Sequence, residues 1–218
     1  IPGALAPRCG AGRQPAAPCH ARADRCGARL HPRAGGSVMT APETAWPSVS
    51  ILIPAYNEAA VIARTLRDLT ADMQPGEFQI IVIANACHDD TAAVARAALP
   101  QAVVLDTPQG GKTNAVNLGF GHATAPVIAC LDADLSVPAS HIRALTAPLL
   151  AGQASSACGR MDVDLSGCSW AVRQFYAAWS LNPYLSQGKF GGLWALSRAQ
   201  AQALFPLPPV IADDEFVS

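Results

Sequence analysis

Two aspartates one residue apart, Asp132 and Asp134, follow the apolar run Pro126-Val127-Ile128-Ala129-Cys130-Leu131. Residues i and i+2 of an extended segment lie on one side, so alternation predicts that both carboxylates face one ligand. An acid pair at the carboxyl end of a buried strand suits a hard divalent cation, Mg2+ or Mn2+, with diphosphate oxygens and waters completing its octahedron. Either acid has the chemistry to chelate. The pair points to work on a nucleotide diphosphate, although an isolated Asp-x-Asp also occurs as a solvated loop.

Four further segments keep it company. Val49-Ser50-Ile51-Leu52-Ile53 is a β-branched strand ending in Pro54-Ala55-Tyr56-Asn57-Glu58, and Phe78–Ala84 is a second strand ending in Asn85-Ala86-Cys87-His88-Asp89-Asp90-Thr91. Gly110-Gly111-Lys112-Thr113-Asn114-Ala115-Val116-Asn117-Leu118-Gly119 is a glycine-lysine loop running into a helix, and Ala212-Asp213-Asp214-Glu215-Phe216 is an acid cluster. In this order the segments resemble the motifs of the family 2 glycosyltransferases, which run PAYNE, DDGSxD, GKxxALNxG, DxD and an ED pair. The resemblance spans about Val49 to Val217. It implies a GT-A fold, a Rossmann-like, mainly parallel α/β sheet sandwiched by helices in a single domain. It also implies a metal-dependent, inverting transfer of a sugar from a nucleotide-diphosphate sugar to an acceptor hydroxyl.

The chemistry of each residue fits a role that the resemblance suggests. Pro54 is expected to stop its strand, freeing backbone groups near Ala55 and Tyr56 for a base or ribose, and Glu58 is placed to accept hydrogen bonds or to favour a helix dipole. Ala84-Asn85 stands where relatives have Asp-Asp; Asn85 keeps one acceptor and adds an amide donor, which leaves the base open, with a UDP-sugar expected. Asp89 matches the later aspartate of that motif, yet Asp89-Asp90-Thr91 also reads as a helix start; His88 reads as a loop histidine. Lys112 is a compact cation for a phosphate or a base edge, assisted by the following helix N-terminus. Its loop is no Walker motif, since Asp106 occupies the position of the first glycine. By resemblance Asp132 meets the ribose and sugar donor, Asp134 binds the metal, and Asp214 of the Asp213-Asp214 pair is the catalytic base. Gly192 and Trp194, in the loop before that pair, are expected to shape the acceptor site.

These residues need a scaffold, and the chain alternates strand and helix patterns as a parallel sheet covered on both faces requires. Strands are predicted at 49–53, 78–84, 102–105, 126–131, 156–164 and 191–196, and helices at 58–71, 90–98, 113–123, 138–151, 168–182 and 198–204. Val61, Ile62, Thr65, Leu66 and Leu69 form a core stripe, with Arg64, Arg67 and Asp68 outside it. Ligands of such sheets sit beyond the carboxyl ends of the strands, where all five motifs fall.

The chain has 218 residues, half of them apolar and 14% charged, enough for one large core. Residues 1–38 carry six arginines and one aspartate, a charge of +5, while residues 39–218 carry −6. A negative body argues against nucleic acid as a partner. Residues 1–38 lack an apolar period and read as a disordered, low-complexity segment, with translated upstream sequence before Met39 as the expected origin and 39–218 forming the glycosyltransferase domain. Cys87, Cys130, Cys158 and Cys168 are expected to face inward as thiols of a reducing compartment, and no apolar run reaches the roughly 18 residues of a membrane span. A cytoplasmic protein is expected, at the cytoplasmic face of a membrane if segments beyond Ser218 anchor it, with a saccharide or lipid-linked acceptor. The rival readings are a sugar-phosphate nucleotidyltransferase, disfavoured by the absence of a glycine-rich, arginine-bearing loop after Ile53, and a truncated binding fragment without turnover.

Overall fold

The computed structural model describes residues 47–159, 165–181 and 192–209. Six strands, β1 (Val49–Ala55), β2 (Phe78–Asn85), β3 (Val103–Thr107), β4 (Val127–Leu131), β5 (Ser156–Cys158) and β6 (Leu193–Ser197), form one sheet in the order β3-β2-β1-β4-β6-β5. β3, β2, β1 and β4 run parallel, and β6 pairs antiparallel with both β4 and β5. The helices are α1 (Ile62–Thr70), α2 (Thr91–Ala98), α3 (Lys112–His122), α4 (Ala139–Leu150), α5 (Trp170–Trp179) and α6 (Arg198–Leu204). The expected single α/β domain with a mainly parallel sheet is what the chain forms.

Strand alternation divides the core. Ile51 and Ile53 pack into a cluster with Ile62, Leu66 and Leu69 of α1 and Ile142 of α4. Leu52, Ile81 and Ile83 face the opposite side, against Ala115 and Val116 of α3 and Ala201 of α6. α3 lies very close to the sheet at Gly119, where a Cβ would come within 2.8 Å of Ile83 and 3.2 Å of Leu52. Any side chain there would push the helix, and Lys112 at its start, away from the strands.

Several boundaries differ from expectation. β1 continues through Pro54 to Ala55, paired with Ile83 and Ala84 of β2, whereas β4 pairs β1 only as far as Leu52; a missing N–H at Pro54 therefore leaves no bond to β4 unmade. α1 begins at Ile62 rather than Glu58, because the Glu58 carbonyl accepts from the Val61 and Ile62 N–H groups in a turn that precedes the helix. Of the cysteines, Cys87, Cys130 and Cys158 are free thiols, but Cys168 is disulfide-bonded, a correction to the all-thiol expectation. Residues 1–38 and the Asp213-Asp214 pair lie outside the described residues.

An ion-pair cluster joins α4 to the turn before β2. Arg143 donates from Nε and Nη2 to the buried Glu77 carboxylate at 2.5 and 2.9 Å, and Asp72 accepts from the Ala139 and Ser140 N–H groups at the start of α4 at 2.9 and 3.2 Å. The Arg143 hydrogen bond holds Glu77 below its ordinary value of 4.5. A carboxyl whose folded value is depressed contributes stability above its unfolded value and loses it as pH falls through the folded one. Stability should therefore decline below about pH 4.5, and Glu77→Gln should remove this part of the decline. Arg143→Met, which strands the Glu77 charge, should cost about 2–3 kcal/mol at neutral pH, less than a fully buried pair would because the arginine is partly solvated. Urea melts across the acid range check both.

Candidate functional site

The strand order places the switch of winding at β1, between β2 and β4, and the carboxyl ends there open a cavity of about 630 Å3, within the range of small-molecule sites. Pro54, Tyr56 and Glu58 line it from the end of β1, Asn85, Ala86 and His88 from β2, Gly110–Lys112 from the start of α3, and Asp132–Asp134 from β4. Seven of the expected residues, Pro54, Tyr56, Glu58, Asn85, Lys112, Asp132 and Asp134, are thus brought together.

Asp132 and Asp134 meet the cavity by a different route from strand alternation. β4 ends at Leu131, and the Leu135 N–H donates to the Asp132 carbonyl at 3.2 Å, so the two acids flank a turn. The Asp132 N–H donates to the Gly192 carbonyl at 2.7 Å. Gly192 has φ +43°, and a Cβ on it would come within 2.6 Å of Leu135 and 3.3 Å of the Asp132 carboxylate; it backs the acid turn from behind. Lys112 Nζ pairs with Asp132 Oδ1 at 2.8 Å, joining two motifs twenty positions apart.

Glu58 is pushed above the usual carboxylate range, first by burial and then by the charges of Asp134, Asp89 and Asp132. Such a concentration of acid favours a cation. Among the described residues no group of three or more His, Cys, Asp and Glu is arranged to hold a metal unaided. The donor set is nonetheless one of hard oxygens, and Mg2+-type ions are commonly held by one or two carboxylates together with substrate phosphates. Asp134, with Asp132 beside it, fits that arrangement.

Asn85 is 5% exposed. Its Nδ2 donates to the Ala55 carbonyl at 3.5 Å, and its buried Oδ1 has no hydrogen-bond partner. The free oxygen is an acceptor for a ligand N–H. Ala55 itself is buried and serves the cavity indirectly, through that carbonyl, which also accepts from the Cys87 thiol.

Other expected residues lie apart. Asp89 accepts from the Ala59 N–H at 3.0 Å, from the Thr91 N–H at 3.1 Å and from the Thr91 hydroxyl, which holds its carboxyl below the usual range. It ties the start of α2 to the segment before α1 and does not line the cavity. Trp194 is 1% exposed, opposite Cys130 in the sheet and packed in the core beneath α3 and α6, so its indole is not at a surface where an acceptor would lie. Asp213 and Asp214 are outside the described residues.

Ala86, His88, Gly110 and Gly111 line the cavity without having been singled out as ligands. Ala86 and Asn57 have positive φ, +50° and +56°. The His88 N–H donates to Asn57 Oδ1 at 2.8 Å and the Asn57 N–H to Cys87 Sγ at 3.4 Å, so the first two motifs brace each other. Asn117, within the glycine-lysine motif, makes two hydrogen bonds to the main chain of Leu207, at 2.9 and 2.7 Å. It anchors the chain leaving α6.

The sheet order and the position of the cavity define a GT-A-type α/β domain. A model of glycosyl transferase family 2 matches residues 50–205, and the chain belongs to that family. Among curated proteins it is 31% identical over 106 residues to an undecaprenyl-phosphate 4-deoxy-4-formamido-L-arabinose transferase of Enterobacter sp. (strain 638), covering 45% of this chain and 32% of the relative. It is 32% identical over 95 residues to the glycosyltransferase AglE of Haloferax volcanii, covering 41% of this chain and 31% of that one. The matched region thus spans about a third of the length of these relatives. Among solved structures, a mannosyltransferase of Pyrobaculum calidifontis in complex with GDP-Man and Mn2+ superposes with TM-score 0.59 at 25% identity, over 79% of this chain and 51% of that one. The fold is shared too by glucosyl-3-phosphoglycerate synthase of Mycobacterium tuberculosis, at TM-score 0.52 and 23% identity over 71% of this chain and 58% of that one. No described helix is long and apolar enough to cross a membrane.

Proposed function

We propose that this domain transfers a sugar, with inversion, from a nucleotide-diphosphate sugar to an acceptor hydroxyl in a metal-dependent reaction. The observation that carries the reading is a cavity in which a buried amide acceptor, a lysine at a helix start and a pair of carboxylates converge from three strand ends. Tyr56 and Pro54 offer a surface for the nucleoside, and Asn85 Oδ1 an acceptor for a ring N–H. Lys112 and the start of α3 face the diphosphate, Asp132 the ribose and sugar, and Asp134, with Asp132, would hold Mn2+ or Mg2+. When bound, the metal supplies charge neutralisation for the departing diphosphate. Asp214 takes the proton of the acceptor hydroxyl, with Asp213 beside it, and the chain around Gly192 borders the sugar end of the cavity. The names of the undecaprenyl-phosphate relatives support a lipid-linked acceptor, and with it goes the proposed role in cell-envelope polysaccharide synthesis at the cytoplasmic face of a membrane; a saccharide acceptor is the alternative.

Uracil and guanine carry a ring N–H that suits the free Asn85 oxygen, and unmodified adenine has none. A UDP-sugar is the expected donor. Calorimetry with UDP-, GDP- and ADP-sugars, with Mn2+ and then with a chelator, tests the reading: a UDP- or GDP-sugar should bind and release on chelation. Preference for the ADP-sugar, or affinity indifferent to chelator, would overturn the base or metal assignment. Asn85→Leu removes the acceptor while keeping the volume, and should weaken nucleoside affinity about 5- to 100-fold, the worth of one buried hydrogen bond.

A further inference from the structure

Helix α1 presents to the β4 side a set of polar groups, Thr65 within its core stripe and Arg64 and Asp68 outside it. They are not simply solvated. The Thr65 hydroxyl, fully buried, donates to the Ala133 carbonyl at 2.6 Å. Arg64 Nη2 donates to the Asp134 carbonyl at 3.4 Å. One turn on, Asp68 accepts from the Ser136 hydroxyl at 2.5 Å, and Asp72, just past the helix, accepts from the Ala139 and Ser140 N–H groups. The connection from the acid turn to α4 is therefore gripped at four successive places, three by α1 and the fourth by the segment that leaves it.

The grip matters most at the acids. Between Asp132 and Asp134 stands Ala133, 4% exposed, whose buried carbonyl needs a donor and receives the hydroxyl of Thr65. Among the described residues, the Asp132 N–H also donates to Gly192 and the Leu135 N–H to Asp132. The Leu135 bond holds the 132–133 peptide, Thr65 holds the 133–134 peptide through the Ala133 carbonyl, and Arg64 holds the 134–135 peptide through the Asp134 carbonyl. Losing the Thr65 hydroxyl would let the Ala133 carbonyl rotate toward another donor, and the flanking Cα–Cβ bonds would turn with it.

We propose that α1 is a positioning element of this site: Thr65, at the Ala133 carbonyl, and Arg64, at the Asp134 carbonyl, set the main-chain path on either side of Asp134 and thereby the spacing and direction of the two carboxylates. The proposal rests on the reading that those carboxylates serve a metal-bound nucleotide diphosphate. Neither residue touches the ligand. Their effect should appear in the metal-dependent part of binding and not in recognition of the nucleoside.

The test measures Thr65→Val and Thr65→Ser in the full chain by calorimetry, with UDP or GDP, whichever the parent binds, plus Mn2+, and with the matching nucleoside in chelator. Thr65→Val should weaken the Mn2+-dependent affinity about 10- to 100-fold, the usual effect of losing a group that orients metal ligands. Nucleoside affinity should stay at the parent's value, Thr65→Ser should restore most of the loss, and the Mn2+ resonance linewidths of the bound complex should broaden in Thr65→Val alone. If Thr65→Val does not fold, the half-buried Ser136→Ala carries the test, with a smaller loss in the same channel. Equal Mn2+-dependent affinity in the folded variant and the parent, or an equal fall in nucleoside affinity, overturns the positioning role. A parent that binds neither diphosphate with Mn2+ overturns the functional reading, and the positioning proposal with it.

Discussion

Asp134→Ala should reduce Mn2+-dependent binding of the nucleotide-diphosphate sugar by about 100-fold or more, as expected when one of only two protein carboxylates at a hard cation is removed. The two acids are not equivalent. Asp132 faces Lys112 Nζ at 2.8 Å, and that pairing offsets its charge, whereas the exposed Asp134 lines the same cavity from the far side of the turn. Without Asp134 the site keeps one lysine-paired aspartate and Glu58, whose carboxyl is itself held high. The sign for Glu58 follows: burial raises it first and remains in the variant, while the repulsion from Asp134, next in size, disappears. The Glu58 carboxyl should therefore titrate lower in Asp134→Ala than in the parent, though still above its ordinary value. Calorimetry with Mn2+ and with chelator reads the first effect, and NMR titration of the glutamate carboxyls reads the second. Equal affinity in the variant and the parent would remove Asp134 from the metal assignment, leaving Asp132 as the remaining ligand.

Asp214→Asn should leave donor binding in place and lower transfer by ~10²- to 10⁴-fold, the range typical for loss of a general base. The substitution keeps size and hydrogen-bonding capacity and removes only the basic carboxylate. Asp213→Asn should cost less. The position rests on the order of motifs, since the family match ends at residue 205 and the acid pair lies outside the described residues. The described chain does lead toward it: Asn117 clamps Leu207 onto α3, and Phe205 stacks on Phe120 at 4.3 Å between ring centroids. Transfer from a labelled donor to polyprenyl-phosphate and saccharide acceptors, with kcat and the donor KM measured separately, distinguishes a base from a binding residue. Parental kcat in Asp214→Asn would move the role to Asp213 or Glu215. Donor binding without any transfer by the parent would favour the binding-only reading.

What the sequence determined by itself was whatever depends on local period and on motif order. The runs 49–53, 78–84 and 126–131 are short, bear β-branched residues and are apolar but for Ser50 and Gln79, which reads as buried strands, and Ile62, Thr65, Leu66 and Leu69 recur at the spacing of one helix face. Given those elements, the general rule that ligands bind at the carboxyl ends of parallel strands located the cavity, and seven side chains named from their chemistry and motif order line it. Tertiary structure decided which polar or aromatic residue at such an end meets the ligand and which holds the frame. Trp194 reads as an aromatic beside a glycine loop, but β6 pairs antiparallel with β4 and turns it into the core. Asp89 reads as a motif carboxylate, but three donors from two segments consume it. Thr65 and Arg64 read as ordinary helix residues, yet they grasp carbonyls 68 and 70 positions away. Periodicity reports which face of an element is buried because it arises from the backbone repeat alone. The partner of a polar group is fixed only when elements dock, since hydrogen bonds demand the correct distance and angle between segments that nothing in the local chain relates.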